Sequence, residues 1–181
     1  MTKKVFNISV IIFALLIIVS NYTVQFPIND WLTYGALFYP ITFLLTDILG
    51  ERYSKQEVLR VVKYGIVFAI IPTIIIADYR IAFASISAFL LTQTLDIHIF
   101  HYLKQKAQKL WWLRNNVSTI ISQFFDTVIF FFLAFSFIMP FEQIVKLIIG
   151  DYIVKIVMAL LDTPFFYFIA IILKSKLNQK I

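Results

Sequence analysis

Six apolar runs, each close to the length that crosses a bilayer, account for most of this 181-residue chain, at about 5–20, 31–49, 58–78, 81–103, 117–139 and 144–173. A membrane-spanning helix needs about 20 mostly apolar residues. Barrel strands would instead alternate apolar and polar residues over about ten positions, and these runs do not. The chain is 61% hydrophobic and 14% charged, against about 45–50% and about 25% in soluble domains. A compact domain of this size cannot hide that much apolar surface from water. The expectation is an all-α polytopic membrane protein, with six transmembrane helices forming a single domain over 1–181. A soluble enzyme, a disordered chain and a classical nucleic-acid-binding domain are poor fits.

Local signals refine the runs. The first follows Lys3 and Lys4, as a secretory leader would, but the boundary SNYTVQF has no small-x-small cleavage pattern. An uncleaved first helix is therefore expected. Asn29 or Asp30 is placed to cap the start of the second run. Pro40, Pro72 and Pro164 fall inside runs, where a proline kinks a helix and releases a backbone carbonyl. Only Asp78, Tyr79 and Arg80 separate the third and fourth runs, so these form a tight antiparallel pair. The basic segment 104–116 is read as a connection carrying a short interfacial helix.

The charge is +6, and its placement matters more than its sum. With six spans, thirteen of the 16 Lys and Arg residues fall on one side: Lys3, Lys4, Arg52, Lys55, Arg60, Lys63, Lys104, Lys106, Lys109, Arg114, Lys174, Lys176 and Lys180. Arg80 lies on the other side, with Lys146 near its edge. The positive-inside rule then puts both termini in the cytoplasm, as in a multi-pass inner-membrane protein. Topology accounts for the basic stretch KQKAQKLWWLRNN without direct nucleic-acid contact, and Trp111 and Trp112 read as interface anchors. Cysteine is absent, which removes disulfides and thiolate chemistry.

Polar residues inside the runs carry the functional signal. In the fifth run, Ser118, Ser122 and Asp126 recur every four residues, as do Thr119, Gln123 and Thr127. At 3.6 residues per turn they fill about half of the helix circumference. This stripe should face the bundle, with Ile120, Ile121, Phe124, Phe125 and Val128 opposite it. A carboxylate deep in a membrane is costly, about 3 kcal/mol on insertion scales, so Asp126 is read as a binding or proton-coupling residue, or else as a packing contact. In the sixth run Asp151 and Lys155 are four apart and can pair. Lys155 either meets a polar ligand or neutralises Asp126 or Asp162, and Pro164 makes the segment near Asp162 resemble the broken helices that line transport sites. Asp47 is either the gating partner of a loop arginine or a solvated helix end. Asp96 shares a face with Gln93 and is a candidate site or gate residue. Asp96 and His98 point apart and make no metal pair.

The chain has no GxxxxGK[ST], HExxH or GxSxG motif, and four glycines allow no dinucleotide loop. No enzyme activity, cofactor or metal is expected. Transport of a small polar solute fits best. The competing reading is a structural membrane protein with a packed polar core.

Two segments carry a resemblance, TDILGERYSKQEVLR at 46–60 and STIISQFFDTVIF at 118–130, joined by Lys155 with Thr163 and Pro164. They resemble the queuosine precursor transporter family, with Gly50 and Arg52 around Glu51 departing from its pattern. The resemblance implies import of 7-cyano-7-deazaguanine or its aminomethyl relative for tRNA queuosine modification. It implies a fold similar to the substrate-binding subunits of energy-coupling-factor transporters. It also implies Asp126, Gln123 and Ser122 as ligand-face residues, with Lys155 and Asp162 added, and leaves Asp47 and Asp96 for gating or coupling. Whether such a protein acts alone, as a homo-oligomer, or as a vitamin-transporter subunit with separate ATPase partners stays open.

Overall fold

Helix ends in this chain are set by short polar signals between apolar stretches. The computed structural model describes residues 1–172. Six α-helices result: α1 (Lys3–Thr23), α2 (Gly35–Arg52), α3 (Lys55–Ile76), α4 (Tyr79–Lys106), α5 (Trp111–Phe135) and α6 (Phe141–Phe166). Thr2 caps α1. A reciprocal capping box between Ser54 and Glu57 opens α3, and the Asp78 carboxylate accepts from the Arg80 backbone N–H at the start of α4.

Three local expectations change. The start of the second run is not helical: Pro27–Asn29 (β1) and Leu32–Thr33 (β2) pair antiparallel, and α2 begins at Gly35. The Asn29 side chain accepts from the Trp31 backbone N–H at 2.9 Å, so it shapes the hairpin turn instead of capping a helix. The segment 104–116 holds no separate interfacial helix. α4 continues to Lys106 and α5 starts at Trp111, because Lys104 reaches the end of α2 and Arg114 and Asn115 are buried against the bundle. Beyond Pro164 the sixth helix changes register into a π-helical turn, Tyr167–Ile172; residue 173, with Lys174, Lys176 and Lys180, lies outside the described residues.

Cross-helix contacts fix the directions. Met1 pairs with Glu57 and Asn21 donates to Thr73, so α1 and α3 run parallel. Gln93 donates to Thr42 and Lys104 to the Gly50 carbonyl, so α2 and α4 run parallel. Arg114 pairs with Glu51 while Phe130 packs on Tyr39, making α5 antiparallel to α2. Thr127 meets Asp151 and Thr163 meets Asn116, making α6 antiparallel to α5. The helices therefore alternate in direction. Lys3, Lys4, Arg52, Lys55, Arg60, Lys63, Lys104, Lys106, Lys109 and Arg114 gather at one end, the basic end, with Arg80 and Lys146 at the other.

Around the bundle α1 packs on α3, α3 on α4, α4 on α5, α5 on α6, α6 on α2 and α2 on α1; α2 also touches α3, α4 and α5. It holds this central place because Gly35, Ala36, Pro40, Thr42, Thr46 and Gly50 are small enough for close approach. Gly150 of α6 has a related role, since a Cβ there would collide with the Trp31 carbonyl oxygen of the hairpin. The outer faces are apolar, with Phe68, Ile71, Ile75, Phe83, Leu91 and Leu161 all exposed. This chain is a polytopic membrane protein. α1, α3, α4 and α5 are each long and apolar enough to cross a membrane. The remaining two, α2 and α6, carry much of the buried charge.

Candidate functional site

The inward faces of α2, α4, α5 and α6 form a continuous polar column, generated by i, i+4 repeats on each helix. On α5, Ser118, Thr119, Ser122, Gln123, Asp126 and Thr127 are all buried, while Ile121, Phe124 and Phe125 are exposed. The stripe faces the bundle, as its period requires. Asp126 lies 15 residues beyond Trp111, about 22 Å along the helix.

The layer farther from the basic end is organised around one paired lysine. Lys155, on α6, is 2% exposed. Its ammonium has three N–H bonds, and three acceptors meet it: Asp126 Oδ2 at 3.2 Å, Asp151 Oδ2 at 2.9 Å and Thr127 Oγ1 at 3.0 Å. The Nζ also sits 4.7 Å from the centre of the Tyr39 ring, a cation–π contact. Asp126 Oδ1 accepts from Thr92 at 3.1 Å. The Tyr39 hydroxyl continues the network to Asn21 at 3.0 Å. One cation and two acids are thus sequestered among α2, α4, α5 and α6, with each charge directly paired.

The next layer toward the basic end is open in its hydrogen bonding. Gln93 donates to Thr42 at 3.0 Å, and Thr119 donates to Asp47 Oδ2 at 3.2 Å. Asp96 lies against Asp47. The hydroxyls of Thr46 and Ser118 flank Asp96; Thr46 also lies 2.9 Å from the Phe43 carbonyl and 3.3 Å from Gln93 Oε1, and Ser118 lies 3.4 Å from the Asn115 carbonyl. Within hydrogen-bond distance and geometry, both Asp96 oxygens, Asp47 Oδ1, Ser122 Oγ and both polar atoms of Gln123 have no partner among the described residues. Such groups are scarce in native interiors, because each costs about 1–3 kcal/mol. A cavity of about 10 Å³, lined by Pro40, Leu44, Asn115, Thr119, Ala159 and Asp162, reaches this level. That is about the space of one water molecule.

At the basic end the column is shut by ion pairs and caps. Arg114 reaches Glu51 Oε2 at 2.9 Å, and both side chains are buried. Lys104 Nζ donates to the Gly50 and Glu51 carbonyls, each at 2.7 Å, satisfying the C-terminus of α2. Arg52 reaches the Ile169 carbonyl at 2.6 Å.

Among the residues expected from sequence, Asp126 and Lys155 therefore meet each other. Ser122 and Gln123 lie one turn nearer the basic end and face the same interior. Asp162 is half-buried, with Oδ2 unpartnered among the described residues, and is separate from the Lys155 cluster. Asp47 is buried against Thr119 and Asp96, so it is not a solvated helix end. Of the arginines at the basic end, Arg114 pairs directly with Glu51, not with Asp47. Glu51 and Arg114 were expected in basic loops, but α2 extends through Arg52 and α5 starts early enough to bury both. Trp111 stacks on Tyr167 at 4.7 Å, so only Trp112 remains an exposed candidate anchor. Thr92, Tyr39 and Asn21 complete the network; isolated polar residues in apolar runs were their only sequence signal.

A family model described as "Putative vitamin uptake transporter" matches residues 33–79 and 77–169. The chain is 29% identical over 160 residues to the "Probable queuosine precursor transporter" of Bacillus subtilis (strain 168), covering 75% of this chain and 70% of that protein. It is 32% identical over 148 residues to the "Queuosine precursor transporter" of Escherichia coli (strain K12), covering 68% and 66%. For the "Probable queuosine precursor transporter" of Haemophilus influenzae (strain ATCC 51907 / DSM 11121 / KW20 / Rd) the identity is 27% over 155 residues, covering 66% and 65%. The chain thus spans about two thirds of these relatives' own length. No solved structure matches significantly.

Proposed function

The chain belongs to the family described as "Putative vitamin uptake transporter", and on that premise we propose that it imports a queuosine precursor, 7-cyano-7-deazaguanine or 7-aminomethyl-7-deazaguanine, into the cytoplasm. The relatives' names supply the substrate class. The observation within the molecule that carries the reading is the set of buried, unpartnered polar atoms in the polar column of the bundle. A lipid-facing scaffold has no use for them, whereas a flat heterocycle rich in donors and acceptors does.

In this reading Asp126, Gln123, Ser122, Lys155 and Asp162 line the ligand path. Asp126 and Lys155 exchange part of their mutual pairing for ligand contacts as the helices part. Asp47 and Asp96 act at the gate toward the basic end. That end faces the cytoplasm by the positive-inside rule, in the inner membrane, with both chain termini on that side. No catalytic step is required.

Uptake is the test. A host unable to make the precursor and lacking its own importer is given 7-cyano-7-deazaguanine at low concentration, and queuosine is read in its tRNA. Restoration by this chain supports import and shows that the host supplies any energising partner. Absence of queuosine, with the protein present in the membrane and energy-coupling-factor ATPases co-expressed, would remove this substrate class. Restoration only with those ATPases would identify the chain as their substrate-binding subunit.

A further inference from the structure

Of the carboxyl groups buried among the described residues, Asp126 and Asp151 are committed to Lys155, and Glu51 to Arg114. Asp96 differs from all of them. It is fully buried, and both of its oxygens are unpartnered among the described residues. Its neighbours are an acid, Asp47, and the hydroxyls of Thr46 and Ser118, which also lie within reach of the Phe43 and Asn115 carbonyls. Gln123 is fully buried as well, with its carbonyl and amide both unpartnered among the described residues. On α5 it lies one helical turn beyond Thr119, which touches Asp47, and Ser122 lies one turn beyond Ser118, which flanks Asp96. The unmet groups of α5 therefore lie one helical turn, about 5–6 Å, from the residues that flank the two acids.

Their chemistry is uneven. Asp96 Oδ1 and Oδ2, Asp47 Oδ1 and Gln123 Oε1 are acceptors, while the donors are the Gln123 amide and the Ser122 hydroxyl. An acceptor-rich set calls for a ligand edge with several N–H groups, and a carboxylate with two free oxygens matches two parallel N–H bonds. We propose that Asp96 receives the N1–H and the exocyclic 2-amino group of the transported base, while Gln123 donates to the adjacent ring carbonyl. Asp47 Oδ1 takes the second amino hydrogen. Asp96 is then the specificity residue for a 2-amino-6-oxo (guanine-type) edge, in addition to any part it has in gating. This assignment rests on the deazapurine reading given above.

Binding to the purified full chain in lipid nanodiscs tests it, by competition with labelled 7-cyano-7-deazaguanine. The competitors are the unlabelled compound and its analogue lacking the 2-amino group. Wild-type protein should favour the 2-amino compound by at least about tenfold, the range for a hydrogen bond to a charged group. Asp96→Asn keeps the shape and mimics a protonated acid, so a merely structural or proton-holding Asp96 would leave that ratio unchanged. The expected result is a ratio near one in Asp96→Asn, with binding of the 2-amino compound reduced at least about tenfold. An unchanged ratio in a folded Asp96→Asn protein overturns the assignment and leaves the deazapurine reading intact. Equal affinity of wild-type protein for the two competitors does the same, and needs no variant. No binding of either compound by wild-type protein would overturn both.

Discussion

Lys155 Nζ and Asp126 Oδ2, 3.2 Å apart and both buried, join α6 to α5 at the level where Asp151 supplies a second carboxylate 2.9 Å from the same nitrogen. The arrangement is asymmetric. The lysine is the only cation in the cluster among the described residues, and either acid can be lost while the other still balances it.

That asymmetry predicts unequal costs. Lys155→Met leaves two carboxylates buried together and should destabilise by about 3–5 kcal/mol, the range for breaking a buried pair. Asp126→Asn leaves the Lys155–Asp151 pair in place and should cost clearly less. Thermal unfolding in nanodiscs compares them. Equal losses would mean that the cluster is not organised around the lysine.

At the basic end, Glu51→Gln removes the partner of a buried guanidinium and should loosen the contact between α2 and α5. The chain has no cysteine, so a single Ser122→Cys substitution gives a clean probe of the column. Ser122 is fully buried, and the thiol should react slowly with a maleimide. Adding Glu51→Gln should raise the labelling rate. An unchanged rate would show that the Glu51–Arg114 pair does not keep that end closed.

The hairpin is seated on α6 through a backbone contact. A methyl group at Gly150 would meet the Trp31 carbonyl, and one at Gly65 would meet the Phe13 ring at 2.5 Å. A ring can turn aside more readily than a backbone can move. Gly150→Ala should therefore lower stability by more than about 1 kcal/mol, as overpacking does, and exceed the effect of Gly65→Ala. The reverse order in unfolding experiments would contradict this packing.

Outside the membrane, the Arg80 side chain and backbone N–H hold the Asp78 carboxyl below the usual carboxylate range. A depressed folded-state value means that the contribution is present above the unfolded value and is lost as pH falls through the folded one. Asp78→Ala should thus lower the Tm at neutral pH, and the difference should vanish in strong acid. A difference that persists there would assign the effect to something other than this charged cap.

How much of this was legible in the sequence follows from the physics of each feature. Apolar run length alone required a membrane solution, and the period of Ser118, Thr119, Ser122, Gln123, Asp126 and Thr127 fixed which side of α5 turns inward. The i, i+4 spacing of Asp151 and Lys155 made their pairing available, because those are properties of one helix. Element ends were less legible: hairpin pairing displaced the start of α2, and inward-facing Arg114 and Asn115 drew α5 back to Trp111. Which acid meets Lys155, that Glu51 rather than Asp47 takes the arginine, and that Asp96 and Gln123 are left with unmet hydrogen bonds depend on relations between helices. Those relations follow from how closely α2 can approach its neighbours through Gly35, Ala36, Thr42, Thr46 and Gly50. One chain's periodicity assigns each residue to a face; only the packing of six faces together decides which charges are spent on one another and which stay open.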